Sequence, residues 1–167
     1  GVTYPGAAAQ FLLSPKKNIH KLPKNVDLKS AALIEPLSCA VRGFDQLPRN
    51  PGSHYLIYGS GTMGLMMAEL AKVNGAASVS IVDLNQDKLK TAKVLGFTNL
   101  AKSADEFDQP RGFDVVIDCT GVTEAIKDGL KHVMPGGTFL QFGVANKDAK
   151  VEIEPFWVYN KEITIVG

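Results

Sequence analysis

From His54 onward the apolar and polar positions follow a regular order: a short unbroken apolar run, a turn carrying glycine, a stretch with helical spacing, then another apolar run. Strands covered on both faces read as continuous apolar runs, and their alternation with helices predicts a parallel α/β sheet. The expected strands are His54–Tyr58, Ser78–Asp83, Thr98–Ala101, Phe113–Cys119, Thr138–Val144 and Glu162–Val166, the third being weak. Helices are expected over Thr62–Asn74, Gln86–Leu95 and Thr123–Met134. In the second, Leu89, Ala92 and Leu95 share one side and Asn85 suits the N-cap. In the third, Ile126, Leu130, Val133 and Met134 stand at i, i+4, i+7 and i+8, and Pro135-Gly136-Gly137 is expected to end it.

Residues before about 45 fall outside this alternation. Gly6–Ser14 reads as a strand, Asn18–Leu22 as an extended connection ending at Pro23, and Asp27 as the N-cap of a short helix. A further helix is expected from Pro36, whose ring suits the first helical position, to about Leu47. The expected division is therefore 1–45, the tail of another domain, and 46–167, the sheet domain. The chain opens on Gly1 rather than Met and stops on the strand-like Ile163-Thr-Ile-Val-Gly167, so it reads as a fragment truncated at both ends.

Composition narrows the function classes. With 45% apolar and 21% charged residues in a chain of 167, an ordinary globular core is expected without help from a disulfide or metal. The net charge of +1 has no basic stripe behind it, which argues against nucleic acid or an anionic membrane as partner. No apolar run approaches the roughly 18 residues of a membrane helix. Cys39 and Cys119 belong to no CxxC pair, which suits a reducing compartment, the cytoplasm.

The run Tyr55-Leu-Ile-Tyr-Gly59-Ser-Gly61-Thr-Met-Gly64 places Gly-x-Gly-x-x-Gly where a strand turns into a helix. There Gly59 permits the turn, Gly61 lets the backbone approach a pyrophosphate, and Gly64 lets the helix pack close to the sheet. The N–H groups opening the helix at Thr62 and Met63 would face the phosphates along the helix dipole. Asp83 closes the second strand 19 positions beyond Gly64, against an expected spacing of about 20 for the carboxylate that binds the adenosine ribose. A structural aspartate capping the next helix is the plain alternative. The fold class expected is α/β: a Rossmann doubly wound parallel six-stranded sheet. A 2′-phosphate about 4 Å from that carboxylate would cost up to roughly 4 kcal/mol at an effective dielectric near 20, and no Arg lies in Leu84–Asp87, so NAD is favoured over NADP. A methyltransferase also uses a glycine turn and an acidic residue after the second strand, but no Asn-Pro-Pro-type motif follows the fourth strand here.

Taken together these residues resemble the zinc-dependent medium-chain alcohol and polyol dehydrogenases, the sorbitol and arabinitol branch above all. Gly6-Ala-Ala-Ala-Gln-Phe11, Lys21-Leu-Pro-Lys-Asn-Val-Asp27, Glu35-Pro-Leu-Ser38, Tyr58–Gly64, Asp118-Cys-Thr-Gly121 and Gly136–Val144 carry the likeness in order along nearly the whole chain; Ala8 departs at the first aromatic of its motif. The resemblance implies that Asp83, Asn85 and Lys88 contact the adenosine ribose, that Met63 touches the nicotinamide side of the turn, and that Thr120, Phe142 and Val144 line the nicotinamide pocket. It also implies that residues 1–45 are a remnant of a GroES-like catalytic domain.

Glu35 stands where this family brings a carboxylate to the catalytic Zn2+, as ligand or through its water. Zinc there would polarise the alcohol or carbonyl oxygen while NAD accepts or returns hydride. The bland reading of Glu35 is a helix-start residue favoured by the dipole. The family's Cys and Gly-His-Glu motifs are absent, and His20, His54 and His132 read as structural or surface residues. The reading is thus an NAD-binding domain of a zinc polyol dehydrogenase acting on a small-molecule polyol or alcohol. A non-catalytic sensor module or a zinc-free quinone-type NADPH reductase are the alternatives. Self-association as a homo-oligomer is expected through the edge strand near Ile163–Val166.

Overall fold

Every apolar run expected to be a strand in the second part of the chain contains one, though the last begins at Thr164 rather than Glu162, which closes a helix. In the computed structural model, which describes residues 6–167, β1 (His54–Tyr58), β2 (Ser78–Val82), β3 (Asn99–Ala101), β4 (Phe113–Asp118), β5 (Val133–Gln141) and β6 (Thr164–Val166) form one sheet. All pairings are parallel and the order is β3-β2-β1-β4-β5-β6. The direction of winding therefore reverses between β1 and β4, the place where such sheets open a crevice beyond their carboxyl ends.

The helices are α1 (Leu28–Ala31), α2 (Ile34–Phe44), α3 (Thr62–Val73), α4 (Gln86–Val94), α5 (Thr123–Lys131) and α6 (Pro155–Lys161). Asp27 caps α1 as expected, its carboxylate accepting from the Lys29 and Ser30 N–H groups at 2.9 and 3.0 Å. By contacts the chain divides into two compact units, one ending at Ile34 and one running Glu35–Gly167.

Successive residues of a strand face opposite ways, so β1 supplies two cores. Tyr55 and Ile57 pack with Ala40 and Phe44 of α2, Met67 and Ala68 of α3, and Ile81 and Ile117 of the neighbouring strands. Leu56 and Tyr58 pack with Val116, Phe139, and Ile126 and Leu130 of α5. Thus α2, although it lies before residue 46, is built into the sheet unit: Phe44 stacks on Tyr55 with ring centroids 5.9 Å apart, and a Cβ on Gly43 would stand 2.7 Å from the Phe142 ring.

Four expectations are corrected. Gly6–Ser14 forms no strand; all nine residues are exposed, and a strand exists only by pairing with a neighbour. The helix expected from Pro36 begins at Ile34 and ends at Phe44, so Glu35 and Pro36 sit in its first turn, where a missing N–H costs nothing. The helix expected to reach Met134 stops at Lys131, and Val133 and Met134 belong to β5, which runs through Pro135-Gly136-Gly137. The ladder tolerates that segment because the register jumps from Phe113–Val133 to Val115–Thr138. Gly136 takes φ +77°, and at Gly137 a Cβ would lie 2.8 Å from the Met134 carbonyl. Finally β5 ends at Gln141 rather than Val144, because the Phe142 and Gly143 N–H groups turn back to the Asp118 carbonyl at 3.0 and 2.7 Å. The short helix α6, with Pro155 at its start and Glu162 closing it at φ 53°, was not expected at all.

Candidate functional site

The three glycines after β1 answer to different demands. Gly59 holds φ +96°, which a side chain resists, and its N–H donates to the Val82 carbonyl at 2.8 Å. Gly64 lies inside α3, where a Cβ would stand 1.8 Å from the Gly59 carbonyl oxygen; only hydrogen fits between helix and turn. Gly61 is unlike both. Its φ of −75° and ψ of −177° suit any residue, and a Cβ there would meet no protein atom within 4 Å. Nothing in the fold requires a glycine at 61, but its bareness keeps clear the space before α3. The Thr62, Met63 and Gly64 N–H groups have no partners within the helix, and Gly61 offers no side-chain cap. The opening of α3 is therefore a positive end left accessible to an anion.

Beyond this turn a groove of about 530 Å³ lies at the carboxyl ends of β1, β2 and β4, its lining including Gly59, Gly61, Asp83, Lys88, Lys102 and Thr120. Asp83 follows β2 directly. One oxygen, Oδ2, accepts from the Ser60 N–H at 2.8 Å and the Ser60 hydroxyl at 2.9 Å; the other, Oδ1, accepts from the Asn85 N–H at 2.8 Å. Burial pushes the Asp83 carboxyl upward, but these hydrogen bonds and the charge of Lys88 outweigh it and hold the group below the ordinary aspartate value. Asn85 caps α4 through the Asp87 and Lys88 N–H groups at 2.9 and 3.3 Å, so its side-chain oxygen is in structural use.

A second aspartate closes β4. Asp118 is fully buried, and its side chain accepts four hydrogen bonds: Thr120 N–H at 3.0 Å and hydroxyl at 2.6 Å on Oδ1, Gly121 N–H at 2.9 Å and Gln141 Nε2 at 2.7 Å on Oδ2. Thr120 is thereby aimed by Asp118, and Gly121, at φ +68°, is held where a Cβ would strike the Val144 carbonyl. On the groove's other wall the Tyr58 hydroxyl donates to Asp128 at 2.7 Å. Burial first, and then that carboxylate, drive the phenol far above its ordinary value, so it stays protonated. Burial and the neighbouring Asp118 likewise raise the Cys119 thiol, which is no nucleophile.

Of the residues singled out in the sequence, Gly59, Gly61, Asp83, Lys88 and Thr120 line one groove. Thr62, Met63, Gly64 and Asn85 stand in the adjoining helix starts, outside its lining. Phe142 and Val144 lie past the end of β5, where Val144 is 94% exposed. Glu35 is exposed in the first turn of α2, with the Cys39 thiol 3.5 Å from its Oε1. Among the described residues no three His, Cys, Asp or Glu side chains stand close enough to hold a metal, so they do not by themselves make a zinc centre. The histidines lie elsewhere: His54 Nδ1 bonds the Ser78 hydroxyl at 2.8 Å, and His132 lies between Asp105 and Asp128 at 3.6 and 3.8 Å.

Asp118 and Ser60 stand in the sequence motifs but carry no expected role there, and Lys102 and Ser103 stand in no motif. Asp118 carried a usable signal, an acidic residue closing an apolar run just before Thr-Gly, as Asp83 closes β2. Lys102 and Ser103 had none, since they reach the groove only because β3 lies beside β2.

Comparison with known proteins agrees with this geometry. The family described as zinc-binding dehydrogenase matches residues 62–167. D-arabinitol dehydrogenase 1 of Uromyces fabae is 35% identical over 100% of this chain and 51% of its own length. D-xylulose reductase A of Aspergillus oryzae is 32% identical over 98% of this chain and 49% of its own. Among solved structures, one described as a zinc-binding dehydrogenase from Sinorhizobium meliloti, bound to NADP, superposes with a TM-score of 0.85 at 32% identity, covering 92% of this chain and 48% of that one. The chain spans about half the length of the curated relatives it matches.

Proposed function

Because the chain belongs to the zinc-binding dehydrogenase family, we propose that it is the NAD-binding portion of a polyol dehydrogenase that interconverts a secondary alcohol and a ketone. Residues 46–167 would be the dinucleotide domain, and 1–45 the tail of the catalytic domain with connecting helices, of which α2 packs on the sheet. The observation that carries the cofactor reading is Gly61, the one glycine of the turn that the protein does not need for itself. Bound NAD would supply the hydride acceptor. The unpaired N–H groups opening α3 would hold its pyrophosphate, Asp83 its adenosine ribose, and Thr120, aimed by Asp118, the far side of the groove. The polyol class rests on the relatives named for D-arabinitol and D-xylulose.

NAD rather than NADP follows from Asp83, whose ionised carboxylate accepts a ribose hydroxyl and repels a 2′-phosphate. Lys88 and Lys102 line the same groove and soften that repulsion without removing it. Calorimetry is expected to find NAD bound at least about tenfold tighter than NADP, a difference of about 1.4 kcal/mol, and Asp83→Asn to remove most of it. Since the Asp83 carboxyl is held below its ordinary value, the preference is present at neutral pH and is lost only as pH falls through that lower value. Tighter binding of NADP by the unaltered protein would overturn the NAD reading and favour a quinone-type reductase.

Zinc is proposed with Glu35 as one ligand, directly or through water. Among the described residues only the Cys39 thiol accompanies the Glu35 carboxylate, so the remaining donors to the metal would come from elsewhere. Glu35→Ala is accordingly expected to leave the folded state within about 0.5 kcal/mol and NAD affinity unchanged; loss of either returns Glu35 to a structural role. Among the described residues β6 stands at the edge of the sheet with one side unpaired, which supports pairing with a second copy. No helix among the described residues is long and apolar enough to cross a membrane. The free Cys39 and Cys119 thiols support the cytoplasm as the compartment we propose.

A further inference from the structure

The two oxygens of Asp83 are used unequally. Oδ2 takes both Ser60 donors, the N–H at 2.8 Å and the hydroxyl at 2.9 Å, while Oδ1 takes only the Asn85 N–H at 2.8 Å. A carboxylate oxygen offers about two lone-pair sites, so Oδ2 is filled and the acceptor site left for a ligand is on Oδ1. Ser60 is 2% exposed, and its hydroxyl is aimed inward at Asp83 rather than at the groove. Its own backbone N–H already reaches the same oxygen, and the glycine turn admits any residue at this position. The hydroxyl is therefore not required by the turn.

We propose that Ser60 is a positioning residue for cofactor selectivity: by gripping Oδ2 twice it stops the Asp83 carboxylate from rotating and reserves Oδ1 for the adenosine ribose. This rests on the reading of Asp83 as the ribose acceptor. A pinned carboxylate accepts a 2′-hydroxyl at no further ordering cost, and it cannot turn aside from a 2′-phosphate. A carboxylate freed of one donor loses both properties. The other charged side chains lining the groove are Lys88, Lys102, Glu124 and Asp128, none of which replaces a donor on Oδ2 in the observed hydrogen bonds.

The test is calorimetry of NAD and NADP binding between about pH 3 and pH 8 with the unaltered protein, Ser60→Ala, Asp83→Ala and the double variant. Ser60→Ala is expected to weaken NAD about two- to tenfold, the range for ordering one side chain, and to leave NADP unchanged or up to about twofold tighter, so the preference narrows. The acid limb of NAD binding should also move upward by up to about one pH unit, because a donor to the charged form is lost. In the Asp83→Ala background, Ser60→Ala should make no further difference. An unchanged preference with an unmoved acid limb overturns the proposal, as does an equal loss when Asp83 is already gone. If Ser60→Ala does not fold, Ser60→Gly, which keeps the N–H and drops the hydroxyl, gives the same readings. Failure of the unaltered protein to bind NAD would instead sink the cofactor reading itself.

Discussion

Gly61→Val is expected to lower NAD affinity on the order of a hundredfold while costing the fold no more than about 1 kcal/mol, the loss of a weak N-cap. The reason is the asymmetry among the glycines. A Cβ at 61 would meet no atom within 4 Å beyond its chain neighbours, so folding tolerates a side chain there, yet it would project where phosphates would approach the start of α3. Gly64→Ala is the mirror case. Its Cβ would be driven to 1.8 Å from the Gly59 carbonyl, backbone against backbone, and helix and sheet would have to part. A loss of about 3 kcal/mol or more, read from urea midpoints, is expected there. If Gly61→Val bound NAD as the unaltered protein does, the pyrophosphate would not cross this turn and the proposed site would be wrong.

Asp118→Ala is expected to cost about 3–5 kcal/mol in urea unfolding, more than any other single side chain of the site. The carboxylate is fully buried and answers four donors, while its own backbone carbonyl answers the Phe142 and Gly143 N–H groups. Removal leaves those side-chain partners facing one another in a water-poor space, and each unmade bond costs more than a made one contributes. Asp118→Asn should lose less, since one oxygen keeps its pair of donors while the new amide meets the other pair unfavourably. Because Asp118 also aims Thr120 and holds the turn at Gly121, NAD affinity should fall along with stability. A cost below about 1 kcal/mol would mean that water reaches the site and replaces the carboxylate.

The presence and order of the strands and sheet-unit helices up to β5, the Asn85 cap and the glycine turn were legible because each is a local matter. His54–Tyr58 and the Asn85 cap came out as expected since an apolar run bounded by turn residues, or an amide oxygen before a helix, works within a few residues. The errors fall where a distant partner overrides local spacing. Val133 and Met134 continue the helical period of α5, yet the edge of β4 captures them as strand, with the Phe113 N–H already bonded to the His132 carbonyl at 2.8 Å. Gly6–Ser14 has strand-like composition but no pairing among the described residues. The Asn85 oxygen caps α4 as expected, so the proposed ribose contact would fall to its amide nitrogen.

For this protein, then, the order of residues alone determined the class of fold, the crevice-forming turn and the acidic residue across from it. Each follows from rules that act along the chain: period, propensity and the steric freedom of glycine. Only the tertiary structure decided how that acid is held, which of its oxygens carries fewer donors, that Lys102 lines the same groove, and that a buried aspartate, Asp118, aims Thr120 into it. Those are contacts between residues far apart in the chain, such as Ser60 with Asp83 and Asp118 with Gln141, and they exist because parallel strands in the order β3-β2-β1-β4-β5-β6 bring their carboxyl ends to one edge. No spacing along a chain encodes the distance between two such ends; strand order and register do.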